Sequence, residues 1–567
     1  MAISKIIYQA SASATPEVWM DVTGTTATVS DVASGKKFIL ANGTEGTGTA
    51  SGGGGIGEND VNFIDYDGTI LHSYSATEFA SLSAMPANPS HTGLTAQGWN
   101  WSLSDAQSYV ETYGKLWIGQ MYVTSSNETE IDIKLVSARL AIYLGFAVNG
   151  TAEVDWGDGS SHDTVTGTSL TIQQRTLHTY ATEGEYTIKI KVQSGQASLY
   201  GTTTYTLINA NLTTNVDNRS YANAVTAVRI GKSMTIGQYA FSYCRNLKYV
   251  TIPNSVTSTG NNAFFNASCL YSITIPSGFT SIANNAFYYC MGLVFISIPI
   301  TVTTIGSYSF EYCYQLKCLT IPSDVTSIGT YACSYCYACE YVIIPSSVTT
   351  ISQYAFAYCY QLRSVTNPDK ITNISNSMFS NCIRLNAFVI PTDVTNIDNS
   401  AFLGCNSLQT MTIPSKVVSI GSQAFSGCMD LLALHFQCTT PPTVSNSNTF
   451  TNLVQDCIIY VPKSLNQTVL ATYTGATNYP SSSTYTYVEE VPTFKIDNYE
   501  YGFEVGMTWG QWCNSNYNTD EWESSGSGVY NETLARGMIV SATGEVGDVE
   551  TSSDEIVAYK SYVLMEE

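Results

Sequence analysis

The chain has 567 residues, 44% apolar and only 12% charged, with 39 tyrosines and 42 glycines. That length suits three to five domains, and the neutral-polar composition is that of an outward-facing protein rather than a cytosolic enzyme. Net charge is −22 but uneven: residues 489–567 hold sixteen acids and three bases, residues 222–436 carry a net of +2, and no basic stripe exists, which excludes nucleic acid as a partner.

The first twenty residues, MAISKIIYQASASATPEVWM, lack the apolar core of roughly 7–15 residues that a secretory signal needs after its lysine. The most apolar later stretch, LVSARLAIYLGFAV, is short and carries Arg139, so no membrane insertion is expected. Residues 1–56 close on GTEGTGTASGGGG, a flexible linker. Before it, the strand-like pattern of VWMDVTGTTATVS resembles a short N-terminal module of phage tail and fibre proteins. That resemblance implies a virion-anchoring role, with other virion proteins as partners.

Residues 57–135 read as a small α/β module. FIDYDGTIL places Asp65, Asp67, Gly68 and Thr69 in the D-x-D-G-T spelling, which resembles the nucleophile loop of haloacid dehalogenase phosphatases. There a strand presents one Asp as nucleophile and the next as acid/base over a divalent metal. The context argues against it: that fold needs a parallel sheet with several crossover helices. Here only two short helices follow, SATEFASL with a Ser75/Glu78 capping box and SLSDAQSYVETY with Ser102 and Asp105 in the same roles. The stretch as a whole resembles a small module of gut-bacterial phage and prophage tail proteins, and no catalytic residue is assigned to it.

Residues 136–205 contain VDWGDGS and HTYATEGEYTIKIKV, which resemble an immunoglobulin-like PKD β-sandwich. Asp155 and Asp158 are expected to cap backbone N–H groups of the tight turn rather than to act as catalytic carboxylates. Such domains serve as spacers.

From residue 206 to 490 one motif recurs: AFSYC, AFFNA, AFYYC, SFEYC, ACSYC, AFAYC, MFSNC, AFLGC and AFSGC. Its last position falls at Cys244, Ala267, Cys290, Cys313, Cys336, Cys359, Cys382, Cys405 and Cys428, always 23 residues apart. A unit such as Leu316, Leu319, Ile321, Pro322, Val325, Ile328, Ala332 reads as a strand ended by proline, followed by a second apolar run. One such coil cannot bury its own apolar face, but stacked coils can. The pattern SVTSIGxxAFxxC resembles the BspA-like leucine-rich repeats, which implies a nine-repeat solenoid with a C-terminal cap over residues 437–488. Cys333, Cys336 and Cys339, spaced C-x2-C-x2-C, fall at the Phe, Cys and Leu positions of their unit. They read as core positions in preference to a metal or redox site.

Around each repeat Cys, three non-core positions are tyrosine in three successive units. They are Tyr308, Tyr312 and Tyr314; Tyr331, Tyr335 and Tyr337; and Tyr354, Tyr358 and Tyr360. Stacking should align them as ladders on a loop edge. Two readings stand: the ladders stiffen the loops, or they form a recognition surface for a host cell-surface glycan or protein. Their concentration in the middle units points to recognition.

Residues 491–567 read as an acidic β-module around Trp509, Trp512 and Trp522, and resemble a C-terminal module of phage tail proteins. The whole is a multidomain, mainly β chain, with no enzymatic activity, metal or cofactor expected. The reading it favours is a phage fibre or receptor-binding protein located on the virion. The alternative is a surface adhesin of a gut bacterium, and homo-oligomerisation stays open.

Overall fold

The computed structural model describes residues 60–210, 219–366, 368–463 and 469–490, together with the backbone of short strands at both ends. At the N-terminus, β1 (Ile3–Tyr8), β2 (Glu17–Asp21), β3 (Lys37–Leu40) and β4 (Glu45–Thr47) pair antiparallel in the order β2-β1-β3-β4. Thr493–Ile496, Tyr499–Gly502, Ile539–Ser541 and Ser561–Leu564 form a second terminal sheet. The tryptophans expected to organise the C-terminal module lie outside the described residues.

The small module is a four-stranded sheet with two helices. Its strands are β5 (Val61–Ile64), β6 (Ile70–Tyr74), β7 (Leu94–Trp99) and β8 (Leu116–Thr124), in the order β6-β5-β8-β7, with β5 and β8 parallel. Helix α1 (Ala76–Ala80) starts on the Ser75/Glu78 capping box. Helix α2 (Leu103–Tyr113) is N-capped by Ser102 and stopped by Gly114 in the left-handed conformation. Both helices face a core of Phe63, Phe79, Trp99, Tyr109 and Val110. All nine residues of β8 are buried. One face of a two-layer module cannot achieve that alone, so a second body must cover the other face.

A mixed sheet follows, of β9 (Thr129–Leu135), β10 (Ala141–Asp155), β11 (Asp163–Thr179), β12 (Gly184–Leu199) and β13 (Ile208–Ala210). The long β10 pairs with β11 along its length, with β13 over its first half and with β12 over its second. β9 pairs with β12 over seven residues, so the sheet crosses the 135/136 boundary expected from sequence. Hydrogen bonding, rather than the motif, sets the limits of this unit. Asp155 accepts the Gly157 N–H at 2.9 Å and Asp158 the Ser160 N–H at 3.0 Å, and Trp156 stacks on His178 with centroids 4.6 Å apart. Both carboxylates are engaged in the turn.

The sheet then runs into the repeats. β9 pairs with β14 (Val225–Arg229), and β14 pairs in parallel with Tyr249–Thr251, the first repeat strand. Arg229 anchors this junction through Glu130 at 2.8 Å and Asp132 at 2.7 Å. Most 23-residue coils contribute a strand to a row of short parallel ladders (Cys318–Thr320, Tyr341–Ile343, Ser364–Val365), although residues 386–390 carry none. They contribute two-residue strands to a second row (Thr304–Ile305, Ser327–Ile328, Thr350–Ile351). The third side is the AFxxC corner, whose phenylalanines stack inside the coil, as from Phe241 through Phe264 and Phe287 to Phe310.

The repeat cysteines are core residues with a specific contact. The Cys290, Cys313, Cys336 and Cys382 thiols each donate to a buried carbonyl 26 residues earlier, at 3.1–3.3 Å. A thiol is small enough for the corner and finds a buried acceptor for its weak S–H donor in a carbonyl that, at Phe264, Phe287 and Phe310, also takes a backbone N–H. Cys333, Cys336 and Cys339 are 2%, 0% and 2% exposed. Burial pushes these thiols well above their ordinary range. Iodoacetamide added to the native chain should therefore label Cys269, which is exposed, and reach the repeat cysteines only after denaturation. Peptide mass spectrometry before and after unfolding checks this; native labelling at Cys336 would contradict the packing.

The C-terminal end of the stack is closed by Ile458–Pro462, the helix Val469–Thr474 and Thr486–Glu490. Tyr473 is fully buried there and donates to the Cys438 carbonyl at 2.8 Å.

Candidate recognition surface

The nine tyrosines do form ladders. Tyr312, Tyr335 and Tyr358 stack at 4.6 and 4.4 Å, extended on one side by Tyr289 at 4.4 Å. Tyr308, Tyr331 and Tyr354 stack at 5.2 and 4.5 Å, and Tyr314, Tyr337 and Tyr360 at 4.7 and 4.8 Å. The planes lie within 20° of parallel throughout.

Six of the nine occupy a backbone region that disfavours them. Tyr308, Tyr312, Tyr331, Tyr335, Tyr354 and Tyr358 have φ between 54° and 62°. The same corners in other repeats hold Asn262, Asn266, Asn285, Asn381, Gly404 and Gly427, the residue types that tolerate this conformation, but also Tyr239, Tyr243, Tyr289, Ser377, Ser400 and Gln423. The left-handed conformation costs a side chain with a Cβ roughly 1–2 kcal/mol per residue. A stacked aromatic pair returns about 0.5–1.5 kcal/mol. The two nearly cancel, so stacking by itself does not account for tyrosine at these corners.

Stacking also consumes the ring faces inside each ladder. What the surface presents is ring edges and hydroxyls in rows, rather than a flat aromatic platform. Beneath the rows lies Glu311, which the sequence reading passed over. It is 4% exposed and makes no side-chain hydrogen bond or ion pair. Burial pushes its carboxyl up to about 7. Burial likewise pushes the neighbouring Tyr288 and Tyr335 phenols up to about 12, and raises those of Tyr312 and Tyr331. The available signal was column identity: the other repeats carry Ser242, Phe265, Tyr288, Ser334, Ala357, Ser380, Leu403 or Ser426 at the Glu311 position.

The strand face behaves differently. The small module, expected to act as a spacer, instead clamps onto it. Trp101 Nε1 donates to the Ile298 carbonyl at 2.9 Å, and the Tyr109 hydroxyl to the Ile321 carbonyl at 2.8 Å. Asn100 Nδ2 donates to the Ile275 and Ser297 carbonyls at 2.9 and 3.3 Å. Trp117 stacks on Phe295 at 4.5 Å. Thr251, Thr274 and Thr320 are thereby buried, whereas Thr412, beyond the module, is exposed.

The same docking closes the D-x-D-G-T loop. Asp65 is buried and accepts from the Tyr122 hydroxyl at 2.8 Å, with His91 Nε2 2.7 Å away. Tyr66 packs on Tyr249 of the solenoid, and the Tyr271 ring lies over Gly68 so closely that an added Cβ would fall 2.6 Å from it. Asp65 is 3% exposed, and its carboxylate is engaged by the Tyr66 N–H, the Tyr122 hydroxyl and His91. Among the described residues no three His, Cys, Asp or Glu side chains converge as metal ligands, and no helix is long and apolar enough to cross a membrane.

A family model for BspA type leucine rich repeat regions matches residues 214–340 and 326–455. The solenoid is built of BspA-type leucine-rich repeats. Solved structures that resemble the BspA-type region include a leucine-rich repeat protein from Bacteroides ovatus, 23% identical over 47% of this chain and 74% of that one, with a TM-score of 0.33. A leucine rich cell surface protein from Faecalibacterium prausnitzii is 27% identical over 36% and 69%, with a TM-score of 0.23. The pneumococcal vaccine antigen PcpA is 14% identical over 53% and 85%, with a TM-score of 0.33. No curated protein matches the sequence.

Proposed function

We propose that the chain is a non-enzymatic attachment protein of a bacterial surface, an adhesin, whose BspA-type solenoid presents its tyrosine ladders to a glycan or protein of another cell. The observation that carries this is the run of tyrosine at both left-handed corners of three successive repeats, in columns that also hold Tyr239, Tyr243 and Tyr289 in earlier repeats and Asn, Gly, Ser or Gln in the rest. Backbone strain of this kind persists where a side chain is needed for something other than local stability. A phage fibre would use the same ladders in the same way. That reading draws on the resemblances of residues 1–56, 57–135 and 491–567 to phage tail modules, and the repeats do not favour it.

The test is a triple variant, Tyr312→Asn, Tyr335→Asn, Tyr358→Asn, in the full chain. Asparagine is what the equivalent corners Asn266 and Asn381 already hold, so the backbone is respected. Binding of the labelled chain to a panel of gut bacterial and epithelial cells should fall about tenfold or more, while Tm moves by only a few degrees. Unchanged binding sinks the proposal, and a collapse in Tm would make the ladders a structural brace. Immunogold labelling with antibody to residues 206–490 separates the two settings: label on the envelope of intact cells fits the adhesin, and label at regular sites on lysate particles fits the fibre.

A further inference from the structure

Where the small module ends over the solenoid lies an open cavity of about 430 Å³. Its lining includes Tyr113 and Lys115 from the module, and Tyr341, Arg363, Ser364 and Thr366 from the repeats. It therefore lies at the step between the last covered strand, Tyr341–Ile343, and the first open one, Ser364–Val365. The volume is in the range of small-ligand sites, which favour such junctions between domains.

The charges around the cavity are unevenly committed. Lys115 Nζ stands 5.0 Å from the Tyr341 ring centroid and makes no ion pair among the described residues. Arg363 is exposed and makes no ion pair with any described residue. Of the two acids that also line the cavity, Asp60 is held by the Ala76 N–H at 2.9 Å, and Glu340 points from an exposed position. In a chain of net charge −22, a cleft whose two cations equal its two carboxylates in number is a local departure from the general repulsion of anions.

The face that leaves the cavity mixes hydroxyls with apolar side chains. Beyond Ser364 and Thr366 it presents the exposed Ala387 and Val389, then Thr410 and Thr412, both exposed, and then His435 stacked on Tyr460 at 4.4 Å. A sugar chain meets hydroxyls with its own hydroxyls and lays its C–H faces on rings. We infer that this cavity and the open strand face beside it bind an acidic glycan, with the sugar carboxylate between Lys115 and Arg363. This site is separate from the tyrosine ladders on the AFxxC corners.

The test is equilibrium binding of the full chain to oligogalacturonate, hyaluronan oligosaccharides and sialyllactose, with methyl-esterified oligogalacturonate and lactose as uncharged counterparts. At least one acidic glycan should bind, its uncharged counterpart should not, and added salt should weaken the complex. Lys115→Gln with Arg363→Gln, both at partly or fully exposed positions, should lower affinity about tenfold or more with unchanged Tm. The triple tyrosine variant should bind the glycan as the parent does. The inference is overturned if none of the acidic glycans binds, if charged and uncharged forms bind alike, or if the double variant keeps its affinity. Loss on the tyrosine variant alone would move glycan binding to the ladders. Capture of an acidic peptide with no glycan bound would hand the cavity to a protein partner.

Discussion

Replacing Gly119 by valine should unseat the small module from the solenoid. β8 crosses the repeat strands at this glycine, and an added Cβ would lie 2.1 Å from Thr274 Oγ1, 2.6 Å from its Cγ2 and 2.8 Å from its Cβ. Thr274 is buried in a parallel strand and cannot retreat. The strand must therefore lift. Lifting breaks a polar seam: Asn100 Oδ1 accepts the Gly119 N–H at 2.9 Å, Ser297 Oγ donates to the Trp117 carbonyl at 2.7 Å, and Asn100 Nδ2 bridges to the Ile275 and Ser297 carbonyls. Each buried group left without a partner costs about 1–3 kcal/mol, and exposing Trp101 and Trp117 adds a comparable amount apiece. The expected result is a new low-temperature transition in calorimetry and faster amide exchange over residues 249–343, with the later repeats unchanged. A single transition at the parental temperature would mean that the clamp contributes nothing to the folded chain.

Glu311→Gln should stabilise the protein at pH 8.5 and leave it unchanged at pH 4. The folded carboxyl is raised by burial from 4.5 to about 7. The native state therefore holds this proton more tightly than the unfolded chain does. Below pH 4.5 both states are protonated and no penalty exists. Stability then falls as pH rises through the folded value, and above about 7 a charged carboxylate is buried without a partner. No cation faces it. Its neighbours Tyr288, Tyr312, Tyr331 and Tyr335 stay neutral to high pH, because burial raises each of them. The penalty is about 2–3 kcal/mol, taken from the size of the shift. Glutamine keeps the shape and removes the charge. Thermal melts of parent and variant at the two pH values check the sign, and a less stable variant at pH 8.5 would show that the carboxylate has a partner.

These two residues illustrate unequal legibility. The 23-residue spacing identifies every core position of the repeats, because each coil repeats the same environment and a substitution such as Cys333 or Cys339 declares itself against its neighbours. The tyrosine columns were visible for the same reason. Their left-handed backbone was not, although the Asn and Gly that share the columns carried a hint of it. Glu311 was overlooked because one acid in a column of mixed residues has no periodic signature.

The module's docking had no signature at all. Trp101 in the bend before α2, Tyr109 on α2 and Trp117 on β8 look like ordinary core residues, and nothing local distinguishes a side chain that faces its own module from one that faces another. The D-x-D-G-T loop shows the converse. Its spelling is good, yet Tyr249 and Tyr271, about two hundred residues away in sequence, decide that Asp65 is a packed structural residue.

The sequence by itself determined the solenoid, its register, its buried thiols and the place of the tyrosine rows, because a strict period leaves the chain one way to stack. Only the tertiary structure decided which part of the strand face stays open and where Lys115 meets Arg363. Those outcomes depend on two non-repeating surfaces finding one fit, and non-local contact of that kind leaves no period in the chain.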